Sequence, residues 1–231
     1  MLSIPQHREA LIEILQNIYR DNELSAQLVF KGGTCLMLFY DLDRFSTDLD
    51  FNLRKEGAKI DSSRVAKVAS ETVEILDEHK GRQTYSLSGR YDKGQRILKI
   101  DVSARRYPQK IINIDFYGVS VSTLAPEQMF AHKLCALSER QKNRDLYDAH
   151  FMFKQKWDID EEIVRARKNM SVVEYLRKLA KTIDTPEIRN DVLEQLGEVL
   201  DRSQKDWARA KLVDELLVQL AMRADNLEFG Q

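Results

Sequence analysis

The run Lys31-Gly32-Gly33-Thr34, followed ten residues later by Arg44-Phe45-Ser46-Thr47-Asp48-Leu49-Asp50-Phe51, decides how the chain is read. Just ahead of it, Gln27-Leu28-Val29-Phe30 is a short apolar stretch with strand character. The two glycines break that stretch, and residues 34–40 can then open a helix. In the second half, Leu49, Phe51 and Leu53 alternate with Asp48, Asp50 and Asn52. This period of two predicts a strand with one apolar and one polar face, and places both carboxylates on the polar face.

Each part of this run suits chemistry at a phosphate. Glycines let the backbone approach closely, and the free N–H groups of a helix start favour negative charge. Thr34 adds a hydroxyl donor. Two carboxylates on one strand face can hold a hard cation, Mg²⁺ or Mn²⁺, which grips a triphosphate. Taken singly, an Asp-x-Asp pair is a solvated strand end more often than a metal site, and Gly-Gly is more often a plain turn. Their combination points to the site. A third acid strengthens it: in residues 98–103, Leu98, Ile100 and Val102 face one way while Lys99 and Asp101 face the other. If this strand neighbours the first, Asp48, Asp50 and Asp101 converge as metal ligands, and their repulsion is offset only by a cation.

Working outward, Leu11, Ile14, Leu15 and Ile18 recur at helical spacing, with Ser3 as a candidate cap and Pro5 in the first turn. Residues 62–80 read as one helix with Val65, Val68, Ala69, Val73 and Leu76 inward and Gly81 as its stop. Residues 84–87, 96–103, 111–116 and 119–122 read as strands. Beyond Pro126 the pattern turns helical, with a capping box at Ser171 and Glu174, a start at Thr185-Pro186, and an apolar stripe of Ile188, Val192, Leu196, Val199 and Leu200. An α+β protein is expected, with an α/β lobe over residues 1–125 and a helical lobe over 126–231.

Bulk properties narrow the function classes. With 231 residues, 43% of them hydrophobic, the chain can bury a real core. No stretch approaches the ~20 apolar residues of a membrane span, and the N-terminus lacks the pattern of a signal peptide, so a cytoplasmic protein is expected. Cys35 and Cys135 have neither disulfide-framework nor zinc spacing. The net charge of −1 hides an excess of +7 in residues 80–110, where nine Lys and Arg face only Asp92 and Asp101. Such a segment attracts phosphates; a charge-rich solvated hairpin is the alternative.

The last element is the run from Lys133 through Arg140 and Arg144-Asp145 to Asp148. On a continuous helix Lys133, Arg140 and Arg144 line one face as a cationic stripe. Asn143 can instead cap a new helix, and Arg140, Arg144, Asp145 and Asp148 can form a structural ion-pair network.

Together, Lys31-Gly-Gly-Thr34, Arg44-x-Ser46-x-Asp48-x-Asp50-Phe51, Lys99-x-Asp101 and Lys133…Arg140…Arg144-Asp145-x-x-Asp148 resemble the AbiEii/AbiGii family of nucleotidyltransferase toxins, over about residues 30–150. The resemblance implies a polymerase-beta-like nucleotidyltransferase fold in which Asp48 and Asp50 hold metal, and in which Lys133 and the Arg144-Asp145 region serve the nucleotide. It further implies a growth-inhibiting toxin encoded beside an antitoxin, with tRNA as an acceptor in some members. Gly33-Thr34 stands where many such enzymes have Gly-Ser, which keeps the hydroxyl.

The expected reaction is transfer of a nucleoside monophosphate from an NTP to a hydroxyl. Asp48, Asp50, Asp101, Lys133 and Asp145 are its candidate catalytic residues. Lys31, Gly32, Gly33, Thr34, Arg44, Ser46, Arg140 and Arg144 are candidates for holding the nucleotide. Two other classes stay open: an inert nucleotide- or RNA-binding module, and a metal-independent ribonuclease of HEPN type using Arg144 and His150. The second leaves Gly33, Asp48, Asp50 and Asp101 without a purpose.

Overall fold

The computed structural model describes residues 3–55, 57–104, 107–140 and 142–230. It divides into two compact units, Met1–Ala125 and Pro126–Gln231.

Among the described residues, the first unit is a seven-stranded mixed sheet with helices. Its elements run α1 (Ile4–Arg20), α2 (Asn22–Gln27), β1 (Leu28–Lys31), α3 (Gly32–Phe39), β2 (Asp48–Leu53), α4 (Ser62–Ala69), β3 (Glu74–Lys80), β4 (Thr84–Arg90), β5 (Leu98–Ser103), β6 (Ile111–Phe116) and β7 (Val119–Leu124). The strand order is β3-β4-β5-β2-β1-β7-β6. β2 runs antiparallel to β1 and parallel to β5, while β1 and β7 pair in parallel at Phe30 and Thr123. The Tyr19 hydroxyl reinforces that short junction: it accepts the Phe30 N–H and lies 2.7 Å from the Ser122 carbonyl.

The apolar alternation read in the sequence becomes the core. Leu49 and Phe51 of β2, Leu98, Ile100 and Val102 of β5, and Leu11, Ile14, Leu15 and Ile18 of α1 are all buried. Each such side chain contributes about 1.5–3 kcal/mol relative to leaving it in water. Ser3 stands at the N-cap of α1 but makes no side-chain capping bond; Pro5 sits in the first turn as expected.

One stretch of the first unit differs in kind from its expectation. Residues 62–80 are not one helix: α4 ends at Ala69, and Glu74–Lys80 is the edge strand β3, bulged between Ile75 and Asp77. Val73 still packs inward. β3 is almost wholly exposed, so its sequence, Glu-Ile-Leu-Asp-Glu-His-Lys, shows no period-two burial. Charges and a bulge are also how sheet edges avoid pairing with other chains, which disguises them as helix surface.

The second unit is helical: α5 (Pro126–Arg140), α6 (Asn143–Lys154), α7 (Glu161–Lys168), α8 (Val172–Ile183), α9 (Pro186–Asn190), α10 (Arg202–Trp207) and α11 (Val213–Phe229), the last two joined by a π-turn at Ala208–Leu212. The capping box of Ser171 and Glu174 forms at the start of α8, and the Thr185 hydroxyl accepts the Ile188 N–H. Ile188, Val192, Leu196, Val199 and Leu200 are all buried, yet α9 ends at Asn190 and residues 191–200 run as turns. Gln195, at φ +64°, is incompatible with a continuous helix there. Among the described residues, no helix is long and apolar enough to cross a membrane.

Candidate active site

In the first unit the site grows from strand register. β2 and β5 pair in parallel with Asp48 opposite Lys99 and Asp50 opposite Asp101. Directly opposed residues share a face, so the acids occupy the side of the sheet away from Leu49, Phe51, Ile100 and Val102. On the other side of β2, Lys31 lies opposite Asp50, and on the far side of β5, Ser86 lies opposite Asp101. The result is one cross-strand row, Ser86, Asp101, Asp50, Lys31, with adjacent strands about 4.8 Å apart.

Three observations tie the glycine turn to this row. Gly32 has φ +85°, and a Cβ there would stand 2.4 Å from Asp50 Oδ2, so the Asp50 carboxylate lies against the first turn of α3. At Gly33 a Cβ would meet Arg44 Nη2 at 2.6 Å and Ser46 Oγ at 2.8 Å. Arg44 and Ser46 are thus buried over the turn, and Arg44 Nη1 donates to the Phe45 carbonyl at 2.9 Å. The Thr34 hydroxyl, read as a phosphate donor, donates instead to the Asp48 carbonyl, because Thr34 is fully buried beneath β2.

Gly32→Ala is expected to lower stability by about 1–3 kcal/mol, from the left-handed backbone and the collision with Asp50. Urea unfolding measures it; an unchanged midpoint would mean that Asp50 gives way without cost.

The three acids are adjacent in register, but among the described residues no group of three or more His, Cys, Asp or Glu is drawn together as a metal cluster. Asp101 Oδ1 instead takes a short hydrogen bond from Ser86 Oγ. The donor set nevertheless fits a hard cation. Asp48 and Asp50 are half-buried oxygen ligands on one strand face, and Mg²⁺ is commonly held by one or two carboxylates together with substrate phosphates. Within the basic segment, Arg90 pairs with Glu74 and Lys99 is exposed beside Asp48's row; Arg105 and Arg106 lie outside the described residues.

In the second unit the helix breaks between Arg140 and Asn143, so the continuous cationic stripe of Lys133, Arg140 and Arg144 does not form. Lys142 occupies the N-cap position of α6, while Asn143 sends its amide to the Asp191 carbonyl at 2.6 Å. Arg144 and Asp145 fall in the first turn of α6. Lys133 Nζ lies 2.8 Å from both Asp145 Oδ1 and Asp148 Oδ2, and Arg140 grips Asp145 through Nε at 2.7 Å. Asp145 is 2% exposed and Asp148 fully buried. Burial alone would raise the Asp145 carboxyl; Lys133 and Arg140 overcome that and hold it well below the usual carboxylate range. His150 packs against Trp207 and meets Glu215 at 2.9 Å, a structural setting.

Sequence reasoning missed Ser86 as the partner of Asp101 and Asp148 as a partner of Lys133. Ser86 has no motif around it and is found only once β4 and β5 are paired. Asp148 stood in the run read as a possible ion-pair network, but its partner Lys133 was not counted in that network.

A glycine turn entering a helix beside an Asp-x-Asp strand, with a third acid on the parallel neighbour, defines the chain as a nucleotidyltransferase by fold. A family model described as "Nucleotidyl transferase AbiEii toxin, Type IV TA system" matches residues 13–217. The chain therefore belongs to the AbiEii nucleotidyltransferase toxin family, toxins of type IV toxin–antitoxin systems. Among solved structures it is similar to a proposed nucleotidyltransferase from H. pylori, with 25% identity, TM-score 0.63, and 97% of this chain and 96% of that one covered. The fold also resembles JHP933 from Helicobacter pylori, at 22% identity, TM-score 0.57 and full coverage of both chains. An antigenic nucleotidyltransferase-like protein from Paracoccidioides brasiliensis shares the fold at 15% identity and TM-score 0.52, over 83% of this chain and 94% of that one. No curated protein matches the chain.

Proposed function

We propose that the protein transfers a nucleoside monophosphate from an NTP to a hydroxyl of an RNA acceptor, tRNA being the favoured one, in the cytoplasm and in a divalent-metal-dependent reaction. The observation that carries this is the register placing Asp50 opposite Asp101, with Asp48 two residues along the same face. Asp48 and Asp50 would hold Mg²⁺ or Mn²⁺. Bound there, the cation would supply charge neutralisation at the triphosphate and lower the pKa of the attacking hydroxyl. Asp101 accepts the proton of that hydroxyl, and the Ser86 hydroxyl holds its carboxylate in place. The first turn of α3, at Gly32 and Gly33, presents backbone N–H groups to phosphate oxygens, and Lys31 adds a cation in the same row.

Arg44 and Ser46 act on the nucleotide through the shape of that turn. Lys133, Arg140, Arg144 and Asp145 are carried as candidate nucleotide-serving residues on the strength of the family's motif alone. A cognate antitoxin is the expected partner in the cell. The polyanionic acceptor is favoured by the basic composition of residues 80–110, where counterion release adds to RNA affinity.

The test is incubation of the full chain with Mg²⁺, each labelled NTP in turn and total cellular RNA. A labelled tRNA-sized species that disappears with chelator is expected. Shortened RNA without label would favour the ribonuclease reading. NTP binding with no label on RNA or on protein would favour an inert binding module.

A further inference from the structure

His7 lies near the start of α1, remote in sequence from every motif of the site, yet it is fully buried. Its Nε2 is 2.9 Å from the Thr47 carbonyl and its Nδ1 is 3.2 Å from the Tyr91 hydroxyl. Phe45 and Tyr91 flank the ring edge-on, with centroids at 5.8 and 5.3 Å. A carbonyl oxygen can only accept, so Nε2 carries the proton and Nδ1 receives the Tyr91 hydroxyl. Burial is the chief cause holding the imidazole below its usual pKa; the Thr47 bond opposes this and Arg96 adds to it. The ring is therefore neutral near pH 7, with its one N–H committed to Thr47.

Thr47 immediately precedes Asp48. Its carbonyl belongs to the peptide plane on the N-terminal side of the Asp48 Cα, and the Asp48 carbonyl belongs to the plane on the other side. The Thr34 hydroxyl donates to that second carbonyl. Side chains from α1 and α3 thus pin both peptide planes around Asp48. Since each plane is rigid, holding both fixes φ and ψ at Asp48, and with them the direction of its Cβ. Asp48 is the first residue of β2, where ladder bonds hold the backbone from one direction only. The start of α1 is in turn tied to the loop after β4, where the Ser3 N–H donates to Gln95 Oε1 at 3.2 Å.

We propose that His7 is a positioning residue that aims the Asp48 carboxylate by holding the Thr47 carbonyl, an inference that rests on the nucleotidyltransferase reading of Asp48. The role needs the Nε2–H bond, not merely an aromatic ring in the pocket.

The experiment compares the full-length wild type with His7→Phe, which keeps the ring and loses the bond, and His7→Gln, whose amide nitrogen still reaches the Thr47 carbonyl. The readouts are NTP transfer to total RNA, resolved into kcat and KM, and Mn²⁺ binding followed by electron paramagnetic resonance with ATP present. In His7→Phe, kcat should fall about 10–100-fold with the NTP KM little changed, as a misplaced catalytic group predicts. Mn²⁺ binding should weaken several-fold. His7→Gln should recover most of both.

Wild-type kcat and Mn²⁺ affinity in His7→Phe overturn the proposal, as does a loss that His7→Gln fails to recover. If the wild type transfers no nucleotide while Mn²⁺ binding still falls in His7→Phe and returns in His7→Gln, the transferase reading fails and the positioning role stands. Should His7→Phe not fold, Tyr91→Phe decides: freeing Nδ1 loosens the ring, so a drop of about 3–10-fold in kcat supports the role and an unchanged kcat overturns it.

Discussion

Asp50→Asn should reduce nucleotide transfer by about a thousandfold or more, equivalent to about 4 kcal/mol of transition-state stabilisation. The change keeps the size of the side chain and its fit against the Gly32 turn, so the fold is retained; what is lost is the charge. Asp50 stands between Lys31 and Asp101 in the cross-strand row, and removing its charge empties the centre of that row. Asp101→Asn, by contrast, keeps a partner for Ser86 and should lose proton acceptance first. Single-turnover labelling with Mg²⁺ measures both variants. Transfer by Asp50→Asn within tenfold of wild type would remove the acidic row from the chemistry.

Lys133→Ala should destabilise the second unit by about 3–5 kcal/mol, since it takes away the cation shared by two buried carboxylates. The sequence alone suggests a different result, a folded but inactive protein, because nothing in the linear run reveals that Asp145 and Asp148 both reach Lys133. The pH dependence has a defined sign. The folded-state pKa of Asp145 is lowered, so its stabilisation is present above the ordinary carboxylate range and is lost as pH falls below about 4. The stability gap between wild type and Lys133→Ala should therefore narrow in acid. Urea titrations at neutral and acidic pH measure it. A variant as stable as wild type at neutral pH would show that Lys133 is held in place without supporting the fold, and any loss of activity would then belong to substrate contact.

The two units differ in how much of them was legible. The strand carrying Asp48 and Asp50 could be read because one of its faces packs on the core: burial imposes a period of two, and the acids are visible as the residues that break the apolar pattern. The helix after Gly32-Gly33 and the capping box at Ser171 and Glu174 were legible for a similar local reason, since turns and caps use neighbouring residues. β3 was not, because an exposed edge strand has no buried face to write into its sequence.

What the sequence determined by itself was the composition of the candidate site, a glycine turn, two acids on one strand face and a third acid on another strand, and the family to which the chain belongs. Only the tertiary structure decided that Asp101 lies beside Asp50, that Thr34 and His7 hold the two peptide planes around Asp48, and that Lys133 is clasped by Asp145 and Asp148. Each of these is a contact between elements far apart in the chain. Local residue patterns record which face of an element is buried; they do not record which other element covers it, because hydrophobic burial is non-directional and many partners satisfy it equally. The choice among partners is made by register, volume and hydrogen bonding together, and it appears only when the chain has folded.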